Sequence, residues 1–166
     1  MQQKETTNLP KITDSDADLA DISRVPREGR ILALDPGTKR VGVAVCDELR
    51  LVATPLPAID RKSWKKLLGE VQAVIANYDA AALVIGLPLN TDGSESSMSL
   101  EARNLAKKFD LSLNIPVFLQ DERVTSYEAR KNLWDRGVPV KDTKKLVDSE
   151  AAAIILTDFL DRLRSI

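Results

Sequence analysis

Seven consecutive small or apolar residues, Ala81-Ala82-Leu83-Val84-Ile85-Gly86-Leu87, constrain this chain most. A strand with one wet face alternates apolar and polar positions, so a run with no polar position marks a strand buried on both faces. Such a strand needs helices above and below it, and the flanks supply them. Trp64, Leu67, Leu68, Val71, Val74, Ile75 and Tyr78 recur at helical spacing across residues 63–78. A second helix, ending near Phe109, places Ala102, Leu105, Ala106 and Phe109 on one face. Trp64 and Tyr78 read as core residues ahead of base-stacking platforms.

Three further apolar runs precede the first helix: Ile31 to Leu34, Val41 to Cys46, and a weaker one at Leu51 to Leu56. Breaks at Pro36-Gly37 and Asp47-Glu48 are short, which predicts an antiparallel meander. Pro116 to Leu119 adds a fifth strand. Thr125 and Glu128 form a capping box that opens a helix ended by Gly137, and the last helix runs from about Thr143 to Leu163. The order β-β-β-α-β-α-β-α-α predicts an α/β fold with a mixed five-stranded sheet, an antiparallel meander joined to parallel strands, flanked by helices.

Residues 1–29 carry four basic and six acidic side chains and no apolar period. They read as a disordered acidic N-terminal extension, and residues 30–166 as one domain. A length of 166 residues with 43% hydrophobic content suits a single core. No stretch has the apolar length of a membrane span, no basic-then-apolar leader opens the chain, and Cys46 is the single cysteine. A cytoplasmic protein is the expectation. The sequence contains no histidine, which excludes serine–histidine and cysteine–histidine triads and histidine-based zinc sites.

Asp35, Glu122 and Asp148 carry the chemistry. Asp35 and Glu122 each close an apolar strand, and Asp148 sits on the first turn of the last helix. Ligands of open α/β sheets bind at the carboxyl ends of parallel strands, so a helix bringing Asp148 there would complete a three-carboxylate cluster. Hard oxygen ligands select Mg²⁺ or Mn²⁺. Two such ions, roughly 3.5–4 Å apart, can activate a water and stabilise the leaving 3′ oxygen of a phosphodiester. Taken singly, the same acids also suit a turn cap at Asp35, an ion pair of Glu122 with Arg123 and a helix cap at Asp148, and their spacing does not decide.

Net charge is −1, so any nucleic-acid contact must come from local basic clusters. Thr38, Lys39 and Arg40 follow the Gly37 turn beside the strand edge, and Lys141, Lys144 and Lys145 precede Asp148. Arg61 with Lys62, Lys65 and Lys66, and the pair Arg130-Lys131, are further clusters. Each alone also suits a solvated surface. Aromatics make up only 4% of the chain, which favours backbone and shape recognition over stacking.

The segments Leu-Asp-Pro-Gly-Thr-Lys-Arg-Val-Gly-Val-Ala-Val (34–45), Val-Ile-Gly-Leu-Pro-Leu-Asn-Thr-Asp-Gly (84–93), Asp-Glu-Arg-Val-Thr-Ser-Tyr-Glu-Ala (121–129) and Val-Asp-Ser-Glu-Ala-Ala (147–152) resemble the YqgF/RuvX family, in that family's order. The resemblance covers about residues 30–164. It implies an RNase H-like fold and a nuclease that processes pre-16S rRNA, or in an older reading a Holliday junction resolvase. It implies that Asp35, Glu122 and Asp148 are catalytic, metal-binding acids. It also marks Thr38, Lys39, Gly86, Pro88, Asn90, Gly93, Arg123 and Thr125 as site-forming positions. The partners it implies are pre-16S rRNA or branched DNA, with a pre-30S ribosomal particle as a further candidate, for a monomer or weak dimer. Pro36 and the pair Ser149-Glu150 depart from the family's common residues, and Glu150 adds an acid beside Asp148.

Two other readings compete. Asp35-Pro36-Gly37-Thr38 also resembles the first phosphate loop of actin-like ATPases and sugar kinases, but those enclose ATP between two domains. A non-catalytic ribosome or transcription accessory factor would keep the fold without needing the acids.

Overall fold

The computed structural model describes residues 21–90, 92–122 and 143–166, the side chains of 143–148 excepted. A 3-10 turn, Ile22–Arg24, leads into β1 (Arg30–Pro36), β2 (Arg40–Cys46) and β3 (Ala53–Asp60). Then come α1 (Trp64–Tyr78), β4 (Ala80–Pro88), α2 (Ser97–Ser112), β5 (Val117–Glu122) and α3 (Thr143–Arg164). The helix expected over 125–137 lies outside the described residues.

The strands form one sheet in the order β3-β2-β1-β4-β5. β2 is antiparallel to both β1 and β3, while β4 is parallel to both β1 and β5. This is the mixed five-stranded sheet, an antiparallel meander joined to parallel strands, that the element order predicts. Reversing direction twice, β3 ends at the same edge as β1, so Asp60 lies opposite Arg40. The parallel strands β4 and β5 end there too.

Side chains alternate across the sheet and build two cores. Leu32, Leu34, Leu83, Ile85, Val117 and Leu119 face α1 and α2, where they pack with Leu67, Val71, Leu105 and Phe109. Ile31, Ala33, Ala44, Ala82, Val84 and Phe118 face α3, where they meet Ala152, Ile155, Leu156 and Phe159. Ile22 and Val25 pack against this second core, so the segment just ahead of β1, expected to lie outside the domain, contributes to it from Ile22 onward.

The third strand starts later and runs further than the apolar pattern suggests. Asp47 Oδ1 accepts the amides of Leu51 (2.7 Å) and Val52 (2.8 Å), which holds both residues in a turn. Leu51 and Val52 are accordingly exposed. α1 begins as expected: Ser63 Oγ accepts the Lys66 amide at 3.2 Å. It ends at Asp79, whose φ of 51° places it in the left-handed region. Among the described residues no helix is long and apolar enough to cross a membrane.

Candidate active site

Asp35 and Glu122 meet on one face of one sheet edge. Leu34 pairs with Ile85, and Gly86 with Gln120, so Asp35 stands one row past Leu34, alongside Gly86. Glu122 stands opposite Pro88, two rows further along β5. Asp35 alternates with Ala33 and Ile31, and Glu122 with Gln120 and Phe118, which directs both acids to the α3 side. Both are half-buried. Between them β4 presents Gly86. A Cβ there would lie 3.7 Å from the Glu122 Cβ and 2.5 Å from Ile155 Cδ1. The glycine therefore leaves the space between the acids open and lets α3 settle close to the strand.

Beyond Asp35 the chain turns sharply. The Gly37 amide donates to Arg40 O at 2.9 Å, and a Cβ on Gly37 would stand 2.6 Å from that oxygen. Thr38 and Lys39 are exposed at the tip, and Arg40 opens β2. Arg61 holds this turn from the end of β3. Its amide donates to Lys39 O, and its guanidinium donates to Gly37 O, each at 2.9 Å. That guanidinium also pairs with Glu101 at 2.6 Å. Sequence reasoning placed Arg61 in a basic cluster but gave it no such bracing role.

The other strand ends are fixed from both sides of the sheet. The Leu89 amide donates to Glu122 O at 3.3 Å. Ser99, fully buried, donates its hydroxyl to Pro88 O and ties the start of α2 to β4. Asn90 donates its amide to Ser94 Oγ at 2.9 Å, and its backbone N–H to Ser94 O at 2.9 Å. Its side chain thus shapes the 90–94 loop, where Gly93 takes a φ of 88°. Gln120, 7% exposed, accepts from Arg162 Nη1 at 2.6 Å and joins β5 to the end of α3. Nothing in the local pattern marked Gln120 or Arg162.

The first turns of α3 carry Asp148, whose side chain lies outside the described residues, as do those of Lys144 and Lys145. Arg123 and Thr125 also lie outside them. Ser149 shows where this turn sits. Its buried hydroxyl donates to Leu56 O and accepts the Val43 amide at 3.4 Å. Val43 pairs with Leu34, one row from Asp35, so this turn of α3 lies at the β2–β3 side of the sheet, near the row of Asp35. Ser149 bridges β2 and β3 where their register shifts between Val41 and Val43. Glu150, 2% exposed, follows on the same turn.

The donor set suits a hard divalent cation. Two carboxylates stand on one face of the sheet edge, and a Cβ on Gly86 would come within 3.7 Å of the Glu122 Cβ. Among the described residues no group of three potential ligands forms. Cys46 is not a competitor. Burial pushes its thiol up, against the Ile31 amide it accepts at 3.1 Å.

The family model described as "RuvX: Holliday junction resolvase" matches residues 29–162. A Syntrophus aciditrophicus protein named "Putative pre-16S rRNA nuclease" is 41% identical over 134 residues, covering 81% of this chain and 89% of its own. An Anaeromyxobacter dehalogenans protein of the same name is 40% identical over 133 residues, covering 80% of this chain and 97% of its own. Among solved structures, T. thermophilus RuvC in complex with a Holliday junction substrate aligns with a TM-score of 0.47 at 16% identity, over 81% of this chain and 96% of that one. With both its family model and relatives of this identity spanning four-fifths of it, the chain belongs to the RuvX family.

Proposed function

We propose that this chain is a metal-dependent endonuclease that hydrolyses phosphodiesters, with the 5′ end of pre-16S rRNA as its substrate. The observation that carries the reading is the pairing of Asp35 and Glu122 on one face of the carboxyl edge, with Gly86 between them and the start of α3 alongside. The name shared by the relatives above supports the RNA substrate.

Asp35, Glu122 and Asp148 would hold two Mg²⁺ or Mn²⁺ ions, which supply charge stabilisation to the attacking and leaving oxygens. The chain's own residues do the rest. Asp35 and Glu122 are set by the sheet register, so their spacing costs no reorganisation when substrate arrives. Thr38 and Lys39 project from the turn held by Arg61, and Arg40 lies at its base, where a phosphate of the bound strand would approach. Arg123, Thr125, Lys144, Lys145 and Asn90 are the further residues that would contact the substrate on this reading, and Asn90 also serves its own loop.

A second reading, resolution of four-way DNA junctions, is favoured by the family description. It requires a symmetric dimer to cut two strands. One experiment separates the two. A labelled pre-16S 5′ leader and a four-way DNA junction are offered side by side with Mg²⁺ or Mn²⁺ and with chelator, using Asp35→Asn as control. Metal-dependent cutting of the RNA alone, lost in Asp35→Asn, is expected. Symmetric cutting of the junction alone would transfer the assignment to a resolvase. Cutting of neither would leave a binding protein.

A further inference from the structure

We propose that a basic surface beside the carboxylate edge, formed by Lys39, Arg61, Lys62, Lys65, Lys66 and Lys108, tracks the phosphodiester backbone of nucleic acid running off that edge. The inference rests on the nuclease reading for the identity of the ligand, and its test is separate from catalysis.

Three stretches of chain supply these residues, and the fold brings them together. β3 ends at the edge where β1 ends, and Arg61 bonds the backbone of Lys39 and Gly37, two residues from Asp35. α1 starts immediately afterwards and carries the basic row away from the edge. Lys62, just ahead of the helix, and Lys65 and Lys66, in its first turn, are all exposed. Across from them, α2 contributes Lys108, whose amine lies 4.5 Å above the Trp64 ring. Between the helices runs a groove of about 170 Å³ lined by Arg61, Lys62, Ser63, Trp64 and Lys108 above apolar Leu67 and Leu105.

The charge is largely uncompensated. Glu101 pairs with Arg61, Asp60 ends β3, and Glu70 lies in a neighbouring groove shared with Lys62 and Lys66. Lys39, Lys62, Lys65 and Lys66 form no ion pair among the described residues. In a chain of net charge −1 this is a concentrated local excess. Lysine rows of this kind neutralise phosphates and release counterions without reading sequence. Base stacking is not the mode of contact. Trp64 packs edge-on against Phe109 with ring centroids 4.9 Å apart, and Lys108 covers its face. An acidic polypeptide would meet the same charge, and it is the alternative that the experiment addresses.

The test is fluorescence anisotropy of the full chain with a labelled RNA hairpin bearing a single-stranded 5′ leader, in chelator so that nothing is cut, across a salt series. K62Q/K65Q/K66Q is compared with K62R/K65R/K66R. The glutamine variant is expected to bind on the order of tenfold more weakly at low salt, and to lower the slope of log K against log salt by roughly 2–3. The arginine variant is expected to match the parent chain. Polyglutamate is expected to compete poorly. An unchanged slope in the glutamine variant, no rescue by arginine, equal competition by polyglutamate, or no binding by the parent chain would each overturn the proposal. Asp35→Asn in the same chelator should bind normally. If that variant still cuts when metal is restored, the catalytic assignment of Asp35 falls while the anisotropy result stands.

Discussion

The two faces of the sheet are built from the same strands to opposite ends. Toward α1 and α2 the strands present Leu32, Leu34, Leu83, Ile85, Val117 and Leu119, large side chains that fill the space right up to the carboxyl edge. Toward α3 they present Ala33, Ala44, Ala82 and Gly86 among the larger Ile31, Val84 and Phe118. Small residues let one helix lie close, and the closeness has a use. Along the same face, at the edge, stand Asp35 and Glu122, and α3 brings the buried polar side chains of Ser149 and Glu150 to it. The first face is invested in apolar burial, which stabilises by about 25 cal/mol per Å² removed from water. The second gives up part of that burial to smaller side chains and carries both acids at its edge.

This contrast can be broken at specific residues. The largest effect is expected from Asp35→Asn. If Asp35 holds a metal as proposed, its loss removes several kcal/mol of transition-state stabilisation, so cleavage should fall about a thousandfold or more while thermal unfolding stays in place. Parallel loss of fold and activity would mean that the acid is structural. Ile85→Ala, on the opposite face and next to Gly86, should behave inversely. It should cost about 2–5 kcal/mol in denaturant unfolding, with turnover per folded molecule retained. Next comes Gly86→Ala, which sets a Cβ 2.5 Å from Ile155 Cδ1. Overpacking of this kind costs about 1–3 kcal/mol. Because α3 must retreat, apparent metal affinity should fall as well. Adding Ile155→Val removes the clashing methyl and should recover part of both losses, whereas strict additivity of the two substitutions would show that they do not interact.

How far the sequence discloses this division depends on distance along the chain. The continuous run through Ala81–Leu87 and the helical spacing of Leu67, Val71, Ala102 and Phe109 are local, and they predict the interior strand β4 and both helices of the first face correctly. Strand ends are less legible, because ladder hydrogen bonds continue after hydrophobicity stops. The apolar runs end at Leu34 and Leu119, whereas the strands continue to Pro36 and Glu122 and so include both acids. Counting by twos from Ala33 and from Phe118, past the ends of the apolar runs, puts both acids on one face. Leu51 and Val52 mislead for a local reason, since the Asp47 carboxylate holds their amides in a turn. The braces of the edge are invisible to such counting. Arg61 on Gly37, Arg162 on Gln120 and Ser149 on Leu56 pair residues 24, 42 and 93 positions apart. No periodicity encodes such pairs.

Ser149 offers the finest test of whether the second face is organised around its edge. Its hydroxyl serves the Leu56 carbonyl and the Val43 amide where β2 and β3 fall out of register. Ser149→Ala leaves both backbone groups buried without that partner, partly offset by alanine's better helix propensity, for a net loss of about 1–2 kcal/mol. If the hydroxyl only fills a packing role, that loss is the whole effect. If it seats the first turn of α3, then Asp148, one residue earlier, also shifts, and more Mn²⁺ should be needed for half-maximal cleavage even where the variant is fully folded. Titrating the metal at a temperature well below the unfolding transition reads that shift directly. A lowered melting temperature with an unmoved metal midpoint would reduce Ser149 to a packing residue. A moved midpoint would make a buried serine, bonded to β2 and β3 and one residue from Asp148, a positioning residue for the site.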